Sequence, residues 1–208
     1  MAEAVSLRER KKKQTRSRIL TVSARLFAQQ GYVATTLGQI ASAADISVPT
    51  LLTYFSSKDR LVTSTEWSLV ENLRRRLDDP GRDADTIEIW RRYVDEHATY
   101  AQNNRNMFLA TMRLALDTPE LRTTLLEVSA ALEDALAAGL AADLGPDALQ
   151  QLPTRLIPTT LAHGNRGALQ QWIDNGGHGD LRAETLAVID LVETTLAPQP
   201  TQRRTISK

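Results

Sequence analysis

The chain has 208 residues, enough for one large domain or two small ones with a real core. It contains no cysteine, which excludes a disulfide framework, a thiol nucleophile and a thiolate metal site and suits a reducing cytoplasm. The net charge is zero but unevenly placed: residues 1–62 hold 10 Lys+Arg against 4 Asp+Glu, a net of +6, and residues 63–208 hold 15 against 21, a net of −6. No apolar run of about 18 residues offers a membrane span, and the polar, basic first residues lack the apolar stretch of a signal peptide. The asymmetry points to an end that meets a polyanion, or to a solvated basic tail.

Taken in chain order, almost every segment reads as helix. A helix is predicted over 8–30, with Ile19, Leu20, Ser23, Ala24 and Phe27 on one face of period 3.6. Gly31 can end it at positive φ. Thr35-Thr36 supply an N-cap hydroxyl for a second helix near 37–44, and Asp45 suits the tight turn that follows. Ser47 caps a short helix over 48–54, with Pro49 tolerated in its first turn. Ser56-Ser57-Lys58-Asp59 starts a fourth helix running to Leu77. Asp78-Asp79-Pro80-Gly81 is the clearest breaker and the expected start of the body. Further helices are predicted near 85–103, 105–116, 119–142, 153–175 and 181–196. Pro198–Lys208 reads as disordered. No strand signal appears.

The expected fold class is therefore all-α: an N-terminal three-helix helix-turn-helix head over 1–62, a C-terminal helical bundle over 63–197, and a tail over 198–208. Within the head, Ile40, Ala41 and Ala44 face inward and Ile46, Leu51 and Phe55 complete a small core. The exposed face of the third helix, Val48, Pro49, Thr50 and Thr53, is short and uncharged. It suits close approach to base edges, thymine methyl groups included. Thr36, Gln39, Tyr54 and Lys58 ring that face with donors for phosphate oxygens. The other reading is a helical hairpin packed inside a larger bundle.

The stretch from Ile19 to Leu61 resembles the DNA-binding head of the Tet-repressor (TetR) family. The matching elements are Leu26-Phe27, Gly31-Tyr32, Thr35-Thr36, Ile40-Ala41, Ile46-Ser47, Thr50-Leu51, Tyr54-Phe55 and Ser57-Lys58. The resemblance implies dimers, a palindromic double-stranded DNA operator, and a divergent C-terminal domain that binds an inducer. Leu52 stands where the family often has a Tyr that touches DNA, and Gly38 where an Arg is common. Seven cations lie between Arg8 and Arg18, with Lys13 and Arg16 among them. They are read as an arm along phosphates or in a minor groove, or else as a solubilising tail.

In the body, Trp90, Tyr93, His97 and Tyr100 recur at helical spacing, with Met107, Phe108 and Met112 on the next helix. An apolar or acyl-type effector is expected among Trp90, Tyr93, His97, Phe108 and Met112, although such stripes also build cores. The body is acidic, so an anionic ligand would need Arg91, Arg92, Arg105 or Arg113 to reverse the field locally. Leu161, Gly164, Ala168, Trp172, Ile189 and Val192 are read as the dimer interface, the alternative being packing within one chain. Glu133-Asp134-Ala135-Leu136, Leu140, the helix ending at Trp172 and the Asp180-Leu181 helix resemble regulators of the mycofactocin type, thought to bind acyl-coenzyme A. His97 and His163 have no metal-ligand partner at i+4, so neither a metal nor a cofactor is expected. No enzyme motif is present; an all-helical enzyme and a constitutive DNA-binding protein without inducer are the alternatives.

Overall fold

The computed structural model describes residues 7–145 and 147–196, all in helices and short connections with no strand among them. The predicted tail at 198–208 lies outside the described residues. The fold divides into two compact units between Thr65 and Glu66.

The first unit is built from α1 (Leu7–Gln30), α2 (Leu37–Ala43), α3 (Val48–Tyr54) and α4 (Lys58–Val62). Its last three helices are short and begin at hydroxyl residues that cap them. Thr36 and Gln39 form a capping box at α2, and the Ser47 and Ser57 side chains accept from Thr50 N and Arg60 N at α3 and α4. Gly31 (φ 83°) ends α1, and Asp45 (φ 53°) takes the left-handed position between α2 and α3. Ile19, Ile40, Ala41, Ala44, Leu51, Phe55 and Leu61 are buried together, with Ile46 and Phe27 packed at the edge. A two-turn helix is unstable alone, and this core is what holds α3 in place.

The expected continuous helix 58–77 is broken. α4 ends at Val62, and α5 (Ser64–Leu77) starts after Thr63, whose hydroxyl and backbone N–H both bond back to Asp59 O.

The second unit contains most of α5, then α6 (Thr86–Asn103), α7 (Arg105–Asp117), α8 (Pro119–Leu144), a 3₁₀ turn at Ala148–Gln150, α9 (Leu152–Asp174) and α10 (Leu181–Thr195). The Asp78–Gly81 breaker lies inside this unit rather than at its start, because Leu73 and Leu77 of α5 are buried with Trp90, Leu136, Leu161 and Ile189. Two glycines permit close crossings. A Cβ on Gly139 would lie 2.6 Å from Thr86 Oγ1, and one on Gly164 would lie 2.7 Å from Val188 Cγ1. Glu133 joins α8 to α9, accepting from the Thr159 hydroxyl and lying 3.2 Å from His163 Nε2. A second apolar cluster gathers Phe108, Leu109, Met112, Trp172, Ile173 and Leu181.

Candidate functional site

On the head, α3 presents Pro49, Thr50, Leu52 and Thr53 to solvent, with Val48 and Tyr54 half-buried. The polar groups on this face are already oriented by the backbone. Thr53 Oγ1 donates to Thr50 O (2.7 Å), and Thr50 Oγ1 lies 2.8 Å from Ser47 Oγ. With its proton engaged, the Thr53 hydroxyl offers a nucleic acid an acceptor lone pair and a methyl group. Leu52, 43 % exposed, extends the apolar part of the face.

Around it, Thr36 and Gln39 are exposed but bound to each other: Gln39 Oε1 accepts from Thr36 N (2.8 Å) and from Gln30 Nε2 (3.0 Å). The Gln39 amide nitrogen is left as the outward donor. Lys58 is chiefly a brace. Its ammonium donates to Tyr32 O (3.0 Å) and Thr35 O (3.1 Å) and lies 4.2 Å from the Tyr32 ring centroid. One of its three N–H donors remains for a phosphate. Tyr32 in turn donates its hydroxyl to Asp59.

The basic segment is helical from Leu7, so the cations from residue 7 on form no extended arm. Between Arg8 and Arg18 they cover about 15 Å of helix and point around its circumference. Lys13 is exposed, whereas the half-buried Arg16 guanidinium lies 5.0 Å from the Phe55 ring centroid.

In the second unit, α5 to α10 line an apolar cavity of about 110 Å³ that opens to solvent. Trp90, Tyr93, His97 and Met112 line it, with Leu125, Leu132, Leu169 and Ile173 opposite. Phe108 does not line it. Its ring sits behind, 5.8 Å from His97 and 6.2 Å from Trp172, because α7 turns it into the second apolar cluster. Trp90 stacks on Tyr93 with centroids 4.8 Å apart. Burial in this wall pushes the Tyr93 phenol well above its ordinary pKa, with the Glu66 charge a smaller contributor in the same direction. Asn165 bridges the wall, lying 3.4 Å from Trp90 Nε1 and donating to Thr185 O at 2.9 Å. His97 Nε2 is buried without a hydrogen-bond partner, 3.7 Å from Glu66 Oε2.

Of the four arginines expected to favour an anion, none lines the cavity. Arg91 is held by Asp190 and Glu193, Arg92 by Asp83 and Glu88, and Arg105 donates to Gly176 O. The arginines that do line it are Arg122 and Arg166. A signal for them existed in the sequence: Arg122 shares a helical face with Leu125 and Leu132, and Arg166 lies one turn from Ala162 and Leu169.

The six residues expected at a dimer interface mostly face inward. Leu161, Trp172, Ile189 and Val192 are at most 1 % exposed within the single chain, so they have no surface to give a partner. Gly164 meets Val188 of its own chain, and Ala168 is half-buried. What α9 and α10 leave outside is a different face: Leu156 (41 % exposed), Gly167, Ala183, Ala187 and Leu191 (63 %). Among the described residues no metal-ligating cluster is found, and no helix is long and apolar enough to cross a membrane.

The model of bacterial regulatory proteins of the tetR family matches residues 19–65, and that of the MftR C-terminal domain matches residues 84–197. No curated protein sequence matches the chain. Among solved structures, FadR of Thermus thermophilus, a TetR-family repressor in complex with lauroyl-CoA, is 25 % identical. The match covers 88 % of this chain and 96 % of that one, with a TM-score of 0.59. FadR of Bacillus subtilis in complex with stearoyl-CoA (19 % identity, 85 % and 96 % coverage, TM-score 0.57) has the same fold. So does the SmeT–triclosan complex (18 %, 94 % and 100 %, 0.62). With the helix-turn-helix head matched by one model and more than half of the chain by the other, the protein belongs to the tetR family of bacterial regulatory proteins, DNA-binding transcription regulators, and carries an MftR-type C-terminal domain.

Proposed function

We propose that this regulator is a cytoplasmic repressor that grips a palindromic operator as a homodimer and is released by a small apolar or acyl-type effector. The observation that carries the reading is the coexistence of an exposed, uncharged α3 face with an apolar cavity in the second unit. Val48, Pro49, Thr50 and Thr53 read base edges. Lys13, Arg16, Tyr54, Thr36, Gln39 and the remaining donor of Lys58 hold phosphates. One two-turn helix reaches few base pairs, and two heads about 34–36 Å apart read a palindrome.

Gly167 supports the dimer. A glycine inside a helix costs about 1 kcal/mol relative to alanine. Gly164 has its reason within the chain, in Val188. A Cβ on Gly167 would meet nothing within 4 Å. Its reason then lies outside the chain, in close approach of a second copy along Leu156, Gly167, Ala187 and Leu191. The lauroyl-CoA held by FadR of Thermus thermophilus supports an acyl-type effector.

A gel shift with the DNA upstream of the protein's own gene tests the reading. The wild type retards this DNA, and an acyl-type ligand, tried as hexanoate and as lauroyl-CoA, releases it. Release requires that ligand and operator oppose each other, so the ligand binds free protein more tightly than operator-bound protein by the same factor, about 5–150-fold for ~1–3 kcal/mol of coupling. Leu125→Trp, which fills the cavity, abolishes release while leaving retardation intact. Equal ligand affinity in the two states would exclude a ligand switch.

A further inference from the structure

We infer that the effector is a compact carboxylate, a single ring or short chain, whose anionic group is held by Arg122 and Arg166 at the edge of the cavity; this rests on the effector reading above. Residues 66–196 hold 12 Lys+Arg against 21 Asp+Glu, so carboxylate partners are plentiful in this unit. Arg76, Arg82, Arg91, Arg92 and Arg182 all take one. Arg122 and Arg166 both line the cavity, yet neither guanidinium makes an ion pair or hydrogen bond with a described residue. Arg122 is exposed and Arg166 half-buried. That combination places positive charge at the solvent edge of an apolar chamber. Of the described residues lining the cavity Glu66 alone is acidic, and it stands against His97. The lining therefore carries a net positive charge within an acidic unit.

Guanidinium groups bind carboxylates through paired, charge-assisted hydrogen bonds, and partial desolvation strengthens them. The depth of the chamber is aromatic and aliphatic, with the Trp90–Tyr93 stack as a flat wall. His97 Nε2, 3.7 Å from Glu66 Oε2, adds a buried polar atom that makes no hydrogen bond and can serve a second polar group of the ligand. Size narrows the class. The cavity, about 110 Å³, is smaller than the roughly 150 Å³ apolar cavity that admits benzene. A ring or a short chain enters with modest yielding of the lining, whereas a long acyl chain requires its helices to part.

The test is calorimetric titration of the full-length protein with phenylacetate, hexanoate and decanoate beside phenylacetamide and hexanamide. The expected result is that phenylacetate or hexanoate binds at least about tenfold more tightly than its amide, an effect of the size expected for a charge-assisted bond. Decanoate should bind no better than hexanoate. In the Arg122→Gln/Arg166→Gln double variant the carboxylate falls to the level of the amide, and amide binding is unchanged. The inference is overturned if amides bind as tightly as acids to the wild type, if the double variant keeps the preference, or if no compact acid binds. In the last case, release of operator by lauroyl-CoA would show that the effector reading survives with a larger ligand, and failure of both would remove that reading too.

Discussion

In the head, Thr36, Ser47, Ser57 and Lys58 all direct their polar atoms onto nearby backbone, whereas in the body His97 Nε2 and Trp172 Nε1 are buried without a hydrogen-bond partner. The contrast has a physical meaning. A surface whose polar groups are fixed by its own backbone loses little conformational entropy when it meets DNA. The cavity leaves the buried His97 Nε2 on its lining unpaired, a cost that a bound molecule can relieve, whereas Trp172 lies in the neighbouring apolar cluster. The head is finished as it stands, and the body is completed by what enters it.

Four measurements break or sharpen this contrast. The largest effect is on DNA affinity. If about four cations per subunit reach phosphate, a dimer neutralises about eight, and log K falls with log salt at a slope near −7. Raising salt from 50 to 200 mM then weakens binding by about four orders of magnitude. Replacing Lys11, Lys12 and Lys13 with Gln should flatten the slope without touching effector binding. A wild-type slope shallower than about −3 would reduce the basic N-terminal half of α1 to a solvated segment.

Next come the cores. Leu51→Ala and Leu136→Ala each remove a fully buried side chain, one from each unit, and each should cost about 2–5 kcal/mol. If the units are independent in their chemistry, Leu51→Ala abolishes operator binding and leaves the calorimetric heat of effector binding intact, while Leu136→Ala lowers the heat. Loss of both functions in Leu51→Ala would erase the distinction.

The third effect is pH-dependent. Tyr93 is raised above its ordinary pKa of 10 by burial. A group whose folded pKa is raised contributes its full stability below the unfolded value and loses it as pH climbs past that value. Stability should therefore fall above pH 10 by up to about 1.4 kcal/mol per pH unit from this group. Tyr93→Phe should flatten that part of the denaturation profile, and an unchanged profile would place the phenol in contact with solvent.

The smallest effect separates two glycines three residues apart. Gly164→Ala forces Val188 to move and should destabilise the subunit by about 1–3 kcal/mol. Gly167→Ala meets nothing in its own chain and should stabilise the isolated subunit by about 0.5–1 kcal/mol. In sedimentation the same substitution should weaken the dimer, and Leu191→Glu should abolish it. A dimer indifferent to both would place the interface on another face.

How far the sequence could be read follows from these same residues. The head was legible because its determinants are local: a capping hydroxyl, a glycine stop and an aspartate turn each act within a few positions, and Thr36, Gly31 and Asp45 behave as they must. Helix limits in the body were legible for the same reason. The orientation of its faces was not. An apolar stripe such as Leu161, Trp172, Ile189 and Val192 has one periodicity whether it buries itself or meets a partner, and only the packed chain distinguishes the two. Charge failed similarly. Arg91 and Arg92 lie on the correct helix, but carboxylates nearby neutralise them, whereas Arg122 and Arg166 escape pairing for reasons of tertiary placement. Thr63 shows the limit of helix periodicity, since nothing in the pattern of apolar residues announces a one-residue break between Val62 and Ser64.

The aromatic chain that runs from Trp90 through Tyr93, His97 and Phe108 to Trp172 has an optical consequence. All three tryptophans of the protein, Trp67, Trp90 and Trp172, belong to the second unit, while the head contains only Tyr32 and Tyr54 as phenolic chromophores. Indole fluorescence is thus a native label for the body alone. Emission excited in the indole band reads the cavity through Trp90, which lines it, and the second apolar cluster through Trp172, with no engineered dye and no cysteine to block. Unfolding of the head passes unseen in that band and registers in the helical circular dichroism, so a difference between the two melting curves gives the stability of each unit from one sample.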